Sequence, residues 1–320
     1  MTERAIVCIS ANPALDRQLR VPVLASGEVN RATRALALPG GKAAHVAMSA
    51  HTLGAKTFWI GFLGGSIGEE CAAELRMLGI EVVAIRTKTA TRVNLEVIED
   101  SGRITEVLEP GCAPDESERA ELLRVVSDGL RTRWKDALIV ISGSLPLGVP
   151  SNFYQPLIGS ARSAGSKVFV DTSGEALPAS IEAGPSFVKP NRREVETLLG
   201  QSLGDSATAA RAVQKIIERG ADSAAVTLGP GGLVWSEGKG GPVWSAQPPR
   251  LKAISTVGCG DATLAGFAYA SLRGWSGEQA LRLAAACGAA NCLAEFEGRI
   301  SEMDVKSLIP QIDVEYLTGS

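Results

Sequence analysis

The amino-acid sequence predicts an α/β fold: a doubly wound, mostly parallel sheet flanked by helices, with a small β-sheet lid. Three observations carry that prediction. Short β-branched runs alternate with longer amphipathic stretches, the pattern of a parallel sheet covered on both faces. Two segments, at about 14–38 and 90–108, are extended and half-polar, with no helix between their strands. From Ala262 onward the chain turns Ala-rich and nearly strand-free, which predicts two buried helices.

In chain order, Ala5–Ser10 is the first strand, followed by the first lid segment. Lys42–Leu53 is a helix, Lys56–Phe62 a strand and Glu69–Leu78 a helix. In the second lid segment, Arg92-Val93-Asn94-Leu95-Glu96-Val97-Ile98 alternates polar and apolar residues, as a strand with one wet face does. Glu116–Leu130 and Asn152–Ala164 read as helices, with Ala137–Ser142 and Lys167–Asp171 as strands. Phe187–Lys189 and Ala224–Leu228 complete the strands, and Arg192–Leu199 and Ala207–Arg219 the amphipathic helices. Ala262–Leu272 and Gly277–Ala294 are apolar on more than one face. Paired with each other, the two extended segments make a small sheet: a lid over an active site, a dimerisation surface, or both. With no internal repeat and no low-complexity tract, residues 1–320 read as a single domain.

With 320 residues, 45% hydrophobic and 21% charged, the chain supports a continuous core without a disulfide or metal staple. A net charge of −3 without basic blocks argues against nucleic-acid binding. Met1 to Arg4 runs into a short apolar stretch rather than a signal-peptide core, and no apolar run approaches the ~20 residues that span a bilayer. A cytoplasmic protein without a membrane partner is expected. Six cysteines (Cys8, Cys71, Cys112, Cys259, Cys287, Cys292) contain no Cys-x-x-Cys pair and read as buried thiols in a reducing compartment. His45 and His51 are too few for a His-rich metal site, so a catalytic base is expected to be a carboxylate.

The strongest chemical signal is Ser255-Thr256-Val257-Gly258-Cys259-Gly260-Asp261-Ala262-Thr263. Two glycines flank one small residue just before a helical pattern that starts at Asp261, bringing peptide N–H groups and a helix dipole to one place. That is a site for an anion such as a phosphoryl group in transfer, with Asp261 placed to accept a proton from an attacking hydroxyl. Asp261 as a simple helix cap is the equal alternative. Lys189-Pro190-Asn191-Arg192-Arg193-Glu194 puts Asn191 and Glu194 on one helical face, suited to nucleotide phosphates or a Mg²⁺ shell; a capping box is the commoner use of that spacing. Leu38-Pro39-Gly40-Gly41-Lys42 offers backbone donors and a lysine at a helix start, but Ala43 excludes a Walker A loop. The turns at 61–68 and 229–232 follow strands, where α/β sheets collect ligand loops. Asp16, past the first strand, is a candidate for sugar hydroxyls. Cys259 could ionise at the helix start as a nucleophile, but no histidine lies near it in sequence.

Together these motifs resemble the ribokinase-like carbohydrate kinases, and within them the phosphofructokinase-B group that includes 1-phosphofructokinase and tagatose-6-phosphate kinase. The likeness runs in order through Asn12-Pro13-Ala14-Leu15-Asp16, Pro39-Gly40-Gly41-Lys42, Gly61-Phe62-Leu63-Gly64-Gly65, Thr91-Arg92, Ser142-Gly143-Ser144-Leu145-Pro146, Asp171 to Leu177, Lys189-Pro190-Asn191 and Ser255 to Asp261. It implies an ATP-dependent kinase of a phosphorylated ketohexose (tagatose 6-phosphate, fructose 6-phosphate or fructose 1-phosphate) with a lid that commonly mediates homodimerisation. By the same resemblance Asp261 is the base, with Gly258, Cys259 and Gly260 forming the anion hole. Asp16, Gly41, Lys42, His45 and Arg92 fall on the sugar-phosphate side, Arg92 as partner of the phosphate already present. Asn191, Glu194, Thr227 and Gly229 fall on the nucleotide side, with Glu194 reaching Mg²⁺ through water. A monovalent cation such as K⁺ is implied near Ser255–Val257 and the segment ending at Gly298-Arg299.

Two positions depart from that family: His45 stands where an asparagine usually holds a sugar hydroxyl, and Cys259 replaces a usual alanine. A histidine is bulkier and titrates, which bears on substrate choice. The rival functions are a kinase of an unphosphorylated sugar, or a sugar- or nucleotide-sensing protein on a decayed kinase scaffold. A nicotinamide dehydrogenase is set aside, because no Gly-x-Gly-x-x-Gly follows the first strand.

Overall fold

The computed structural model describes residues 4–111 and 113–317. The strands are β1 (Ala5–Ser10), β2 (Ala14–Val21), β3 (Arg34–Gly40), β4 (Lys56–Leu63), β5 (Glu81–Arg86), β6 (Arg92–Glu99), β7 (Ile104–Leu108), β8 (Leu138–Ser142), β9 (Val168–Asp171), β10 (Phe187–Val188), β11 (Ala224–Thr227), β12 (Leu233–Ser236), β13 (Val243–Gln247) and β14 (Asp313–Leu317). Ten of them form one sheet in the order β14-β13-β12-β11-β10-β9-β8-β1-β4-β5. From β11 to β5 every pairing is parallel; β12, β13 and β14 add an antiparallel edge.

The chain leaves β1 for β4 on one side and returns to β8 on the other, so the winding reverses beside β1. Ligands of open α/β sheets sit outside the carboxyl ends of strands at such a reversal. Strand β1 shows why the sheet is covered twice. Ile6 and Cys8 pack into one core with Ala44, Leu264 and Ala286, while Val7 and Ile9 pack into a second with Leu122, Ile158 and Val213.

The helices are α1 (Lys42–Thr52), α2 (Gly65–Met77), α3 (Glu116–Arg131), α4 (Gln155–Ser163), α5 (Ala176–Glu182), α6 (Arg192–Leu199), α7 (Ser206–Glu218), α8 (Cys259–Arg273), α9 (Gly277–Leu293) and α10 (Glu302–Leu308). The two Ala-rich helices are α8 and α9, both buried, packed through Gly266, where an added Cβ would stand 2.6 Å from Ala284 Cα. Gly266→Ala should therefore lower the unfolding free energy by about 1–3 kcal/mol through overpacking. In an open helix the same change adds ~1 kcal/mol. Denaturant unfolding reads the sign directly.

A second sheet of four strands, β3-β2-β6-β7, matches the two extended segments of the sequence. Strand β2 runs parallel to β6, with Ala14 beside Arg92, Asp16 beside Asn94 and Gln18 beside Glu96. Among the described residues no helix is long and apolar enough to cross a membrane.

Several elements depart from the sequence expectation. One short strand, β14, follows the two Ala-rich helices and closes the antiparallel edge; it was not anticipated. Strands β5, β12 and β13 were not anticipated: β5 is a half-exposed edge, and β12 and β13 lie among the glycines and prolines of residues 229–249. Helix α2 starts at Gly65 rather than Glu69, and α8 at Cys259 rather than Asp261. Cys8, Cys71 and Cys287 are buried as expected, whereas Cys259 and Cys292 are only half-buried; Cys112 lies outside the described residues.

Candidate active site

Along the carboxyl ends of the parallel strands runs a cavity of about 1660 Å³. Asn12 follows β1, Gly143 and Ser144 follow β8, Asp171 ends β9, Lys189 follows β10, and Leu228 and Gly229 follow β11; all line it. Asp16, Gly41, Lys42, His45, Arg92, Asn191, Thr227, Gly258, Cys259, Gly260 and Asp261 line the same cavity. Of the candidate catalytic, sugar-side and nucleotide-side residues, Glu194 is the one off its wall; Ser255, Gly298 and Arg299 of the expected cation site also lie off it.

Helix α8 begins from Gly258, whose φ of 76° is left-handed and open to glycine without strain. The first bond within the helix is Ala262 N–H to Gly258 O (2.9 Å), so the N–H groups of Cys259, Gly260 and Asp261 precede it. Asp261 is the third helical residue and makes no capping bond. Its Oδ2 instead lies 2.9 Å from His45 Nδ1, and His45 Nε2 lies 2.9 Å from Asp16 Oδ2. One buried imidazole thus bridges two buried carboxylates. Burial by itself would push its pKa down, but the hydrogen bonds and charges of Asp16 and Asp261 carry it well above the ordinary histidine value. Asp16 also accepts from Asn94 Nδ2 (2.7 Å); despite burial, His45, Asn94 and the Gly41 N–H hold its carboxyl below the usual range.

A second charged group lines the same cavity. Asp171 accepts from Lys42 Nζ (2.8 Å) at one oxygen and from Lys189 Nζ (2.7 Å) at the other. Burial opposes ionisation of Asp171, and the two ammonium groups overcome it. Lys189 Nζ stands 3.2 Å from where a Cβ of Gly260 would be, which sets a cation beside the helix terminus. Asn191 and Glu194 form the capping box of α6, Asn191 Oδ1 accepting from Glu194 N–H (3.0 Å) and Glu194 Oε2 from Asn191 N–H (2.8 Å). The remaining oxygen of Glu194 faces Lys42 at 3.7 Å. Asn191 bridges to Thr227, joining two residues of the expected nucleotide side. Cys259 Sγ lies 3.2 Å from Cys292 Sγ; that thiol and burial push the Cys259 pKa up, against a nucleophilic role.

Residues 4–297 match the profile of the pfkB family carbohydrate kinases. The chain belongs to that family. As a member it is a phosphotransferase acting on a sugar hydroxyl. It is 30% identical over 312 residues to 1-phosphofructokinase of Escherichia coli (strain K12), covering 98% of each chain. The solved structure of Escherichia coli phosphofructokinase-2 in complex with fructose-6-phosphate superposes with a TM-score of 0.86 at 30% identity, covering 97% of this chain and 99% of that one. The same enzyme in complex with potassium gives 0.89 at 30% identity, with the same coverage.

This pfkB kinase also places in its cavity residues that the sequence did not single out. Asp171 and Lys189 each stood in a motif of the sequence but carried no role there, and their pairing depends on β9 and β10 being neighbours. Asn94, Glu96 and Glu106 share one face of the small sheet through the register of β2, β6 and β7. The polar-apolar alternation of residues 92–98 was the signal; which way the polar face pointed was not in it.

Proposed function

We propose that the enzyme transfers the γ-phosphate of ATP to a hydroxyl of a sugar held between Asp16 and Asp261, with Asp261 as general base. The observation that supports this most directly is the position of Asp261. It sits on the cavity wall in the first turn of α8, one residue from Gly260, with its Oδ2 engaged by His45. The other oxygen is the one to take the hydroxyl proton, while the N–H groups of Cys259, Gly260 and Asp261 and the ammonium of Lys189 meet the moving phosphoryl charge. Asn191, Thr227 and Gly229 hold the nucleotide, and the small sheet acts as the lid.

Mg²⁺ would neutralise phosphate charge. Among the described residues no cluster of three or more His, Cys, Asp or Glu could hold a metal, so the nucleotide itself would supply most of the shell. Glu194 Oε1, the oxygen left over by the capping box, fits a water-mediated place in it. A K⁺ role draws on two segments that the structure brings together: Asn291 Nδ2 donates to Val257 O (2.7 Å), and Gly298 N–H donates to Asn291 Oδ1 (2.8 Å). Pairing of two copies through the small sheet is supported by Val107 and Leu108, large apolar residues exposed on its edge strand.

For the acceptor, a phosphorylated ketohexose is supported by the named relatives and by Arg92. An unphosphorylated sugar is favoured by the carboxylates beside Arg92. Release of ADP from MgATP, measured against tagatose 6-phosphate, fructose 6-phosphate, fructose 1-phosphate and unphosphorylated hexoses, tests the reaction. Release with none of them would sink it.

A further inference from the structure

Granting that the start of α8 carries phosphoryl transfer, the proposed chemistry uses the backbone N–H of Cys259 and gives its thiol no part. That thiol has a close partner. Cys259 Sγ, on the first residue of α8, lies 3.2 Å from Cys292 Sγ, in the last turn of α9. Both cysteines are half-buried and both line the cavity, so a small solute that enters it reaches both sulfurs. Cys8, Cys71 and Cys287 are instead buried in the core. Helix packing sets the pair. A Cβ on Gly288 would stand 2.3 Å from Thr263 Oγ1 and 3.2 Å from Cys259 O, so this glycine lets α9 pass against the first turn of α8. Cys292 lies one turn further along the same face of α9.

A disulfide sets its sulfurs about 2 Å apart, roughly 1 Å closer than the 3.2 Å seen here. Where that shift is taken up follows from what holds each backbone. Cys292 O accepts from Ile254 N–H (2.7 Å). The adjacent Asn291 donates through Nδ2 to Val257 O (2.7 Å) and accepts at Oδ1 from Gly298 N–H (2.8 Å), so the end of α9 is tied to two loops. Cys259 follows a left-handed glycine, and its carbonyl is held only from within α8, by Thr263 Oγ1 (2.8 Å) and the helix itself. The start of α8 is the freer side. Closing the bond therefore draws that first turn toward α9, and with it the N–H groups of Cys259 and Gly260 and the carboxylate of Asp261. A displacement of that order in a reacting geometry costs up to about 10²-fold in rate.

We infer that Cys259 and Cys292 form a dithiol site for peroxide-class oxidants, and that the disulfide formed there reversibly arrests phosphoryl transfer. One sulfur attacks a peroxide oxygen, the O–O bond breaks, and the departing hydroxide takes the thiol proton and leaves as water. The second sulfur attacks the resulting sulfenic sulfur, the S–O bond breaks, and that hydroxide leaves as water with the second thiol proton. The thiols are oxidised to a disulfide and the peroxide is reduced to water.

The purified full chain, treated with hydrogen peroxide, alkylated and digested, should show by mass spectrometry a peptide pair joined from Cys259 to Cys292. Over the same time course, ADP release from MgATP with the best sugar substrate should fall at least about tenfold and return with dithiothreitol. Cys292→Ala cannot close the bond, and after the same treatment it should keep its own untreated rate. Absence of the bond in treated wild type, the bond present at full turnover, or an equal loss in Cys292→Ala each overturns the inference while the kinase reading stands. If no sugar supports ADP release before oxidation, the kinase reading fails instead. The mass-spectrometric bond then decides the dithiol site by itself, and its absence overturns that site.

Discussion

Asp261→Asn should lower kcat by about 10³-fold, within the range of a lost general base, while calorimetry shows ATP and sugar binding within a few-fold of wild type. Asparagine fills the same space and its carbonyl oxygen still accepts from His45 Nδ1, so the bridge to Asp16 stays intact. What it lacks is an oxygen able to take the proton of the incoming hydroxyl. The fold-change corresponds to about 4 kcal/mol of transition-state stabilisation, more than a helix terminus or one lysine would be expected to restore. Because Asp261 makes no capping bond, the loss cannot be assigned to fraying of α8. Turnover close to wild type would remove Asp261 from the chemistry and leave it as an anchor for His45.

The two halves of this site were unequally legible in the sequence. The half proposed to handle phosphate was the more legible because its parts are local: Gly258, Cys259 and Gly260 run straight into α8, although a simple helix cap at Asp261 was an equal reading of the same pattern. The capping box of Asn191 and Glu194 was readable for the same reason, down to its spacing of three. The half proposed to hold the acceptor was legible only through the family resemblance, which named Asp16, Gly41, Lys42, His45 and Arg92 but not how they meet. Its groups come from β2, α1, β6, β7 and the segment after α9, and they meet only because β2 runs parallel to β6 and α1 lies against α8. His45 stood out in the sequence only as a departure from an expected asparagine. That it would use both nitrogens on carboxylates more than 25 residues away on one side and 200 on the other follows from packing, not from any neighbour in the chain.

His45 carries the second large effect, and its sign depends on pH. A protonated imidazole donates from both nitrogens, satisfying Asp16 and Asp261 at once; a neutral ring donates from one and turns a lone pair to the other carboxylate. Its folded pKa is raised above the ordinary 6.5, so the stability it contributes is fully present below 6.5 and is lost as pH rises through the folded value. Asp16 is shifted the other way from 3.8; its contribution is present above 3.8 and lost as pH falls through its folded value. The bridge is therefore complete between 3.8 and 6.5 and weakens at alkaline pH, where Glu297, the other carboxyl near the ring, adds its own repulsion to an uncompensated Asp16. His45→Leu, which strands both carboxylates in the interior, should cost about 3–5 kcal/mol of unfolding free energy near pH 6, and less at pH values where the wild-type bridge is already half undone. Urea unfolding of both proteins across that range measures the gap. A gap of constant size from pH 5 to pH 10 would mean that His45 fills space as a neutral ring, and that the two carboxylates are held apart by something other than its charge.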